Sequence, residues 1–294
     1  MEHLARYLQN LEYEKRYSPH TIEAYRRDLS QFDAFLSDDG MKGEVVDFRM
    51  IRRWIVALVA DKHSSRTVNR KIAALRSYFN DLMKKGLITV NPMEKVGLLK
   101  TDQNLPVFVT TEKMDELLDE DEASPDIGSY QAMRDKMVLE LFYMTGMRLS
   151  ELIHLKESDV DAATMTVKVL GKRNKERLIP LTAQFCNELF QYIFIKKSVF
   201  PDTAWLFVLK SGKPLNERWV QRLTGKKLGA VTTMKKRSPH VLRHSFATNI
   251  LDNGAELNAI KEILGHANLA ATQVYTHSSL KRIKKVYQQA HPRA

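Results

Sequence analysis

Between His240 and Tyr275 the chain sets out side chains suited to handling a phosphate. His240, Arg243 and His244 lie in SPHVLRHSFAT (238–248), and Leu264-Gly265-His266 and Tyr275-Thr276-His277 follow. On a helix begun near Pro239, His240 and Arg243 are three apart and share a face, so a guanidinium stands beside an imidazole. Arginine grips two phosphate oxygens in fixed geometry, and a nearby histidine can exchange a proton with a third group. Gly265, as the residue closing the next helix, would present His266 where the chain leaves that helix. Tyr275 adds a phenol that can act as a covalent nucleophile once its proton is removed. A His or Tyr taken singly at such spacing is usually a packed or surface residue. The set carries more, because Arg148 in TGMRLSEL (145–152) and Lys172 in GKRNKER (171–177) add cations. Two arginines, a lysine, two histidines and a tyrosine suit a doubly charged, phosphorane-like transition state.

His240 and His244 are also four apart, a spacing that binds zinc when a third ligand and a catalytic carboxylate accompany it. No Glu follows His240 in the required place, and Arg243 would repel a divalent ion. Neither a metal nor a cofactor is expected.

These groups must be positioned by elements that the pattern predicts. Ser18 caps a helix with Pro19 at its first position and Ile22, Tyr25, Leu29, Phe32 and Phe35 on one stripe; Arg26 and Arg27 face away. A second apolar helix is predicted around Met50 to Ala60, with Trp54 inside it. Ser64-Ser65 caps a third, whose core side carries Ile72, Leu75, Phe79 and Leu82. Arg66, Asn69 and Arg70 lie on another face of that helix and suit a groove of DNA; a solvated basic face is the competing reading. Asn91-Pro92 is expected to stop the last of these helices, and 97–109, with Pro106, reads as a linker. Thr110-Thr111-Glu112 opens a helix, and the acidic run 119–122 reads as a solvated loop. The apolar stretch from Arg134 to Tyr143 predicts a helix that delivers Arg148 just past Thr145-Gly146. Met165, Val167 and Val169 alternate with polar residues, a turn follows, and then Leu178 to Leu181, which predicts a small hairpin or sheet with Lys172 at its tip. Lys281 to Gln289 predicts an amphipathic helix with Leu280, Ile283 and Tyr287 on one face.

The length of 294 residues allows two domains with sizeable cores. A content of 44% hydrophobic and 28% charged residues is that of a soluble globular protein. One cysteine, Cys186, excludes an intramolecular disulfide and a thiol-rich metal site. No apolar run approaches a membrane span and the first residues lack a signal-peptide pattern, so a cytoplasmic protein is expected. The net charge of +11 is unevenly spread: +5 over 1–100, −9 over 101–170 and +15 over 171–294. Two basic regions point to two surfaces meeting a polyanion, and the phosphate chemistry in the second favours nucleic acid.

The order Arg148, Lys172, His240, Arg243, His266, Tyr275, within TGMRLSEL, GKRNKER, HVLRHSFAT, LGH and YTH, resembles the tyrosine recombinase (phage integrase) family. The opening YSPHT (17–21) with AYRRDL (24–29), and the ending AHPRA (290–294), resemble its Xer branch. The resemblance covers nearly the whole chain, and six residues in fixed order are far more specific than LGH or YTH alone. It implies a mainly α fold: a helical, SAM-like core-binding domain over 1–96 that clamps DNA, a linker over 97–109, and a mixed α+β catalytic domain over 110–294. That second domain would hold a small β-sheet or hairpin and a C-terminal helix that docks on a neighbouring protomer.

The same resemblance implies that Tyr275 is the nucleophile of a 3′-phosphotyrosine intermediate and that Arg148 and Arg243 neutralise the non-bridging oxygens. Lys172 would protonate the leaving 5′-oxygen, His240 would accept the Tyr275 proton and His266 would hydrogen-bond a phosphate oxygen. His154, His244 and His277 fall off the motif positions and are read as structural. The family commonly has glycine where this chain has Arg173, which makes Arg173 and Lys175 candidate phosphate contacts and Lys175 the alternative to Lys172. Arg26, Arg66, Asn69 and Arg70 complete the expected DNA contacts. The implied partners are a double-stranded recombination site, further copies or a paralogous recombinase forming a tetramer on two sites, and a DNA-translocase activator; no membrane is implied. The expected function is site-specific cutting and rejoining of DNA, resolving chromosome dimers at a dif-like site. An integrase or resolvase of a mobile element and an inactive DNA-binding relative are the alternatives. The intact set of six argues against the latter, and the lack of an additional arm-binding domain argues against a bivalent phage-type integrase.

Overall fold

The computed structural model describes residues 3–41, 43, 45–101, 108–120, 130–171, 175–265 and 277–293. The chain divides into two compact units, Met1–Asn104 and Leu105–Ala294. The architecture is mainly α with one small sheet, as the sequence predicts.

The first unit contains α1 (Leu4–Tyr13), α2 (Pro19–Asp38), α3 (Phe48–Ala60) and α4 (Ser65–Lys84). Three of these helices start on a local oxygen. Ser18 Oγ accepts from the Thr21 amide at 3.2 Å, Asp47 Oδ1 from Arg49 and Met50 at 2.9 Å each, and Ser64 Oγ from Thr67 at 3.3 Å. Each thereby satisfies amides that a first turn leaves without an intrahelical acceptor. Leu29, Phe32, Trp54, Ile72 and Leu75 meet in the core, with the Phe32 and Trp54 rings 5.0 Å apart. The end of α4 differs from expectation. It stops at Lys84, and Gly86, at φ 67°, takes the left-handed turn that a side chain would disfavour. Asn91 instead organises a later turn, its Oδ1 accepting from the Met93 amide at 2.9 Å.

The second unit contains α5 (Thr111–Glu120), α6 (Tyr130–Thr145) and α7 (Leu149–Ile153), then strands β1 (Val160–Asp161), β2 (Thr166–Leu170) and β3 (Glu176–Pro180). Five helices follow: α8 (Ala183–Val199), α9 (Glu217–Val231), α10 (Pro239–Asp252), α11 (Leu257–Leu264) and α12 (His277–Ala290). Asp119 and Glu120, expected in a loop, belong to the end of α5, and Asp121 and Glu122 lie outside the described residues. Helix α6 is the core element: every residue from Met137 to Thr145 is buried, and α8 and α10 pack on it.

The sheet order is β1-β2-β3, all antiparallel, with Val167 opposite Ile179 and Val169 opposite Arg177. Strand β3 begins at Glu176, two residues before the predicted Leu178, because Arg177 takes a buried position on the strand. A lone cation is not tolerated there, and Glu151 neutralises it. On α12, Ile283 and Tyr287 are buried, and Tyr287 Oη donates to the Met144 carbonyl at 2.9 Å. Ile283 and Tyr287 thus pack on the chain's own second unit.

Candidate active site

The site is built where α6 turns into α7. Gly146 sits at φ 56°, and a Cβ there would fall 2.3 Å from Cδ1 of Phe246 on α10, so only glycine permits this close crossing. Two residues on, Arg148 precedes α7. Its backbone amide donates to Glu151 Oε2 at 2.7 Å, its Nη1 to Glu151 Oε1 at 2.8 Å, and its Nη2 to the Gly265 carbonyl at 3.1 Å. Helix α10 begins at Pro239 as predicted, with Pro in its first turn, and places His240 and Arg243 one turn apart. Arg243 Nη2 donates to the Leu264 carbonyl at 2.8 Å and Nη1 to the Gly146 carbonyl at 2.5 Å. The two motif arginines therefore converge on adjacent carbonyls at the end of α11, where Gly265 turns left-handed at φ 65°. His240 is exposed.

Glu151 is the electrostatic centre of this group. Arg177 grips it with two parallel bonds, Nη1 to Oε1 at 2.8 Å and Nη2 to Oε2 at 2.7 Å. Burial raises the pKa of the Glu151 carboxyl, but the hydrogen bonds and charge of Arg177, with the amide and guanidinium of Arg148, outweigh it and hold the value at about 2. Burial, then repulsion from Arg148 and Arg177, lowers Arg243 to about 10, so it stays protonated at neutral pH. Two guanidiniums contact the Glu151 carboxylate and a third, that of Arg243, lies within its electrostatic reach, which leaves an excess of positive charge suited to a phosphodiester whose negative charge grows in the transition state.

Lys172, Arg173, His266 and Tyr275 lie outside the described residues. Lys175 is exposed, and its carbonyl accepts from the Gly171 amide at 2.7 Å, closing the neck of the β2–β3 hairpin. In the first unit Arg66 is exposed on α4, and Arg26 is exposed on α2, 3.5 Å from Glu23. Arg70 is half-exposed and paired with the buried Asp28, which also holds Lys71 at 3.1 Å. Asn69 is engaged within the chain: its amide donates to the Leu99 carbonyl and accepts from the Leu99 amide, both at 2.8 Å. His154 lies against the Ser150 carbonyl at 2.6 Å, and the His244 ring is 6.4 Å from that of Phe108.

Two members of the cluster, Glu151 and Arg177, are absent from the residues the sequence singles out. Both stand inside quoted motifs. The available signals are an acid three residues after Arg148 at a helix start, and a cation at a strand position alternating with Ile179.

A helical unit with exposed arginines, joined in sequence to a unit whose arginines converge at a helix terminus, has the charge arrangement of a protein that binds a polyanion. The comparisons identify it further. Residues 107–282 match the phage integrase family, and residues 4–86 match the phage integrase N-terminal SAM-like domain. The chain is 37% identical to the tyrosine recombinase XerC of Pelobacter propionicus, over 100% of this chain and 96% of that one. It is 36% identical to the XerC of Staphylococcus saprophyticus, over 98% and 96%. Among solved structures, a XerH site-specific recombinase bound to palindromic difH substrate in a post-cleavage complex is similar in fold, with a TM-score of 0.72 at 20% identity over 99% of this chain and 81% of that one. The XerA recombinase gives a TM-score of 0.50 at 26% identity over 100% of both. The chain belongs to the phage integrase, or tyrosine recombinase, family and is a DNA strand-exchange enzyme of the site-specific recombinase class.

Proposed function

We propose that this recombinase resolves dimers of circular chromosomes at a dif-like site. The observation that carries the reading is the similarity to relatives named XerC, which runs through both units at 36–37% identity. Tyr275 Oη attacks the scissile phosphorus, the bond to the 5′-oxygen breaks, and a 3′-phosphotyrosine and a free 5′-hydroxyl result. Attack by the partner duplex's 5′-hydroxyl forms the new phosphodiester and releases Tyr275. Bond energy is kept in the phosphotyrosine, so no nucleotide is consumed. Arg148 and Arg243 leave their carbonyl partners for the non-bridging oxygens, where charge develops; this is the largest expected contribution. His240 accepts the Tyr275 proton, since a phenol of free pKa ~10 is mostly un-ionised at neutral pH. Lys172 delivers a proton to the departing 5′-oxygen, and His266 donates a hydrogen bond to a phosphate oxygen.

Arg26, Arg66 and Arg70 from the first unit, with Lys175 at the neck of the β2–β3 hairpin and Arg173 two residues before it in sequence, contact the duplex. Arg218, Arg222 and Lys226, exposed at four-residue intervals along α9, add a basic ridge. Asn69 supports this surface from behind through Leu99. The active assembly is a tetramer on two sites, formed with further copies or a paralogous recombinase and stimulated by a DNA translocase.

The test is covalent trapping on a nicked dif-type site in chelator, comparing the wild-type chain with Tyr275→Phe. An adduct lost only in the variant supports the chromosomal reading. An adduct that forms on a mobile-element end but not on the dif-type site moves the function to that class, and no adduct on any bound site rejects the activity.

A further inference from the structure

Arg177 lies at the centre of the described cluster although it is not one of the six motif residues. It is 4% exposed, bidentate on Glu151, and its Nε donates to the Ile263 carbonyl at 2.7 Å. A cation so far withdrawn from water persists only with its charge matched and its donors used. A bidentate arginine–carboxylate pair also fixes the relative orientation of its partners. Three segments are joined through this one side chain: β3, the start of α7 with Arg148, and the end of α11.

Two glycines press against the same guanidinium. A Cβ on Gly171 would lie 3.5 Å from Arg177 Nη1, 3.7 Å from Glu151 Oε1 and 3.2 Å from the Lys175 carbonyl oxygen. A Cβ on Gly265 would lie 3.2 Å from both Cδ and Nη1 of Arg177. The residues that follow these glycines in sequence are Lys172 and His266. Arg177 thus sits against the backbone just before two motif residues and shares its carboxylate with a third, Arg148.

We propose that Arg177 is a positioning residue for leaving-group protonation: anchored on Glu151 and Ile263, it fixes the neck of the β2–β3 hairpin at Gly171, the residue that precedes Lys172 in sequence. The inference rests on the reading of Lys172 as the proton donor. It differs from a buried ion pair that only stabilises the fold, and from a third cation that only adds charge near the phosphate.

The experiment follows single-turnover adduct formation by the full chain on a nicked site, with the bridging 5′-oxygen either present or replaced by sulfur. A thiolate leaves without protonation because a thiol is far more acidic than an alcohol. Arg177→Met is expected to cut the oxygen substrate about 10²-fold more slowly than the wild type, the scale of a lost general acid, and the sulfur substrate nearly as fast. Lys172→Ala should show the same pattern. Arg177→Lys keeps the charge but not the two parallel bonds, and it should behave like Arg177→Met if position rather than charge matters. Gly171→Ala disturbs the neck without removing a charge, and it carries the test if Arg177→Met fails to melt cooperatively or to bind DNA. Equal loss on both substrates, or no loss in either the Arg177 variants or Gly171→Ala, overturns the proposal. Lys172→Ala left unrescued by sulfur refutes the proton-donor reading and the proposal with it. Rescue of Lys172→Ala alone refutes only the proposal.

Discussion

Glu151 shows how one residue governs a site it need not touch during chemistry. Its carboxylate accepts from the amide and guanidinium of Arg148 and twice from Arg177. Its folded pKa of about 2 lies below the ~4.3 of an unfolded glutamate, so the unfolded state binds the proton first. The stability that Glu151 contributes is therefore fully present above about pH 4.3 and is lost as pH falls through about 2. Urea melts should show Glu151→Gln less stable than the wild type at neutral pH, with the gap closing as pH falls through that window. A gap that does not change with pH would mean that the charge is not what stabilises the cluster. The same substitution should slow adduct formation, because Arg148 loses the partner that aims it.

At the scale of elements, the joint between α6 and α7 shapes the site, and the seat of α12 shows how packing holds a terminal helix on the second unit. Gly146→Ala places a methyl group against Phe246 at a backbone conformation that side chains disfavour. Left-handed strain and overpacking together should cost roughly 2–4 kcal/mol, read as a lower urea midpoint with an unchanged slope. The seat of α12 is anchored by His291, buried and stacked on Tyr287 with ring centres 4.8 Å apart. Its Nδ1 accepts from the Arg293 amide at 3.1 Å, and Nε2 faces the Tyr143 carbonyl at 3.3 Å, which specifies the neutral ring protonated on Nε2. Burial, opposed by that carbonyl and aided by the Arg293 charge, lowers its pKa to about 4. A histidine with a lowered folded pKa loses stability as pH falls from the unfolded value near ~6.5, levelling off below about 4. The full shift is worth about 3 kcal/mol at ~1.4 kcal/mol per unit. His291→Phe should remove this acid-side loss from the stability-against-pH curve, whatever it does to stability at neutral pH.

For the molecule as a whole, the net charge of +11 sets how it meets its polyanionic substrate. Neutralising phosphates releases condensed counterions, so affinity for a duplex site should fall steeply between about 50 and 200 mM salt. Arg66→Ala should weaken binding to all sequences alike and reduce the slope of log affinity against log salt by about one. Once the variant is saturated with DNA, its cleavage rate should match the wild type. Fluorescence anisotropy across a salt series measures both slopes, and a flat response would exclude phosphate contacts as the main source of affinity.

The helix starts at Pro19, Ser65 and Pro239, the shared face of His240 and Arg243 and the glycine end of α11 were legible in the sequence. Each depends on spacing or capping within a turn or two, and such effects act locally. The burial of Arg177 was not legible. KER reads as a solvated charged turn until Glu151, 26 residues earlier, is brought within 2.7 Å. Nor does local sequence reveal that Asn69 clasps Leu99, that Gly86 rather than Asn91 marks the end of α4, or that Phe246 forbids a side chain at position 146. By itself the sequence determined which functional groups exist, in what order, and on which helical faces. Only the tertiary structure decided which charges are buried together and which backbones touch, because the cost of burying a charge or adding a methyl group depends on neighbours far away in the chain.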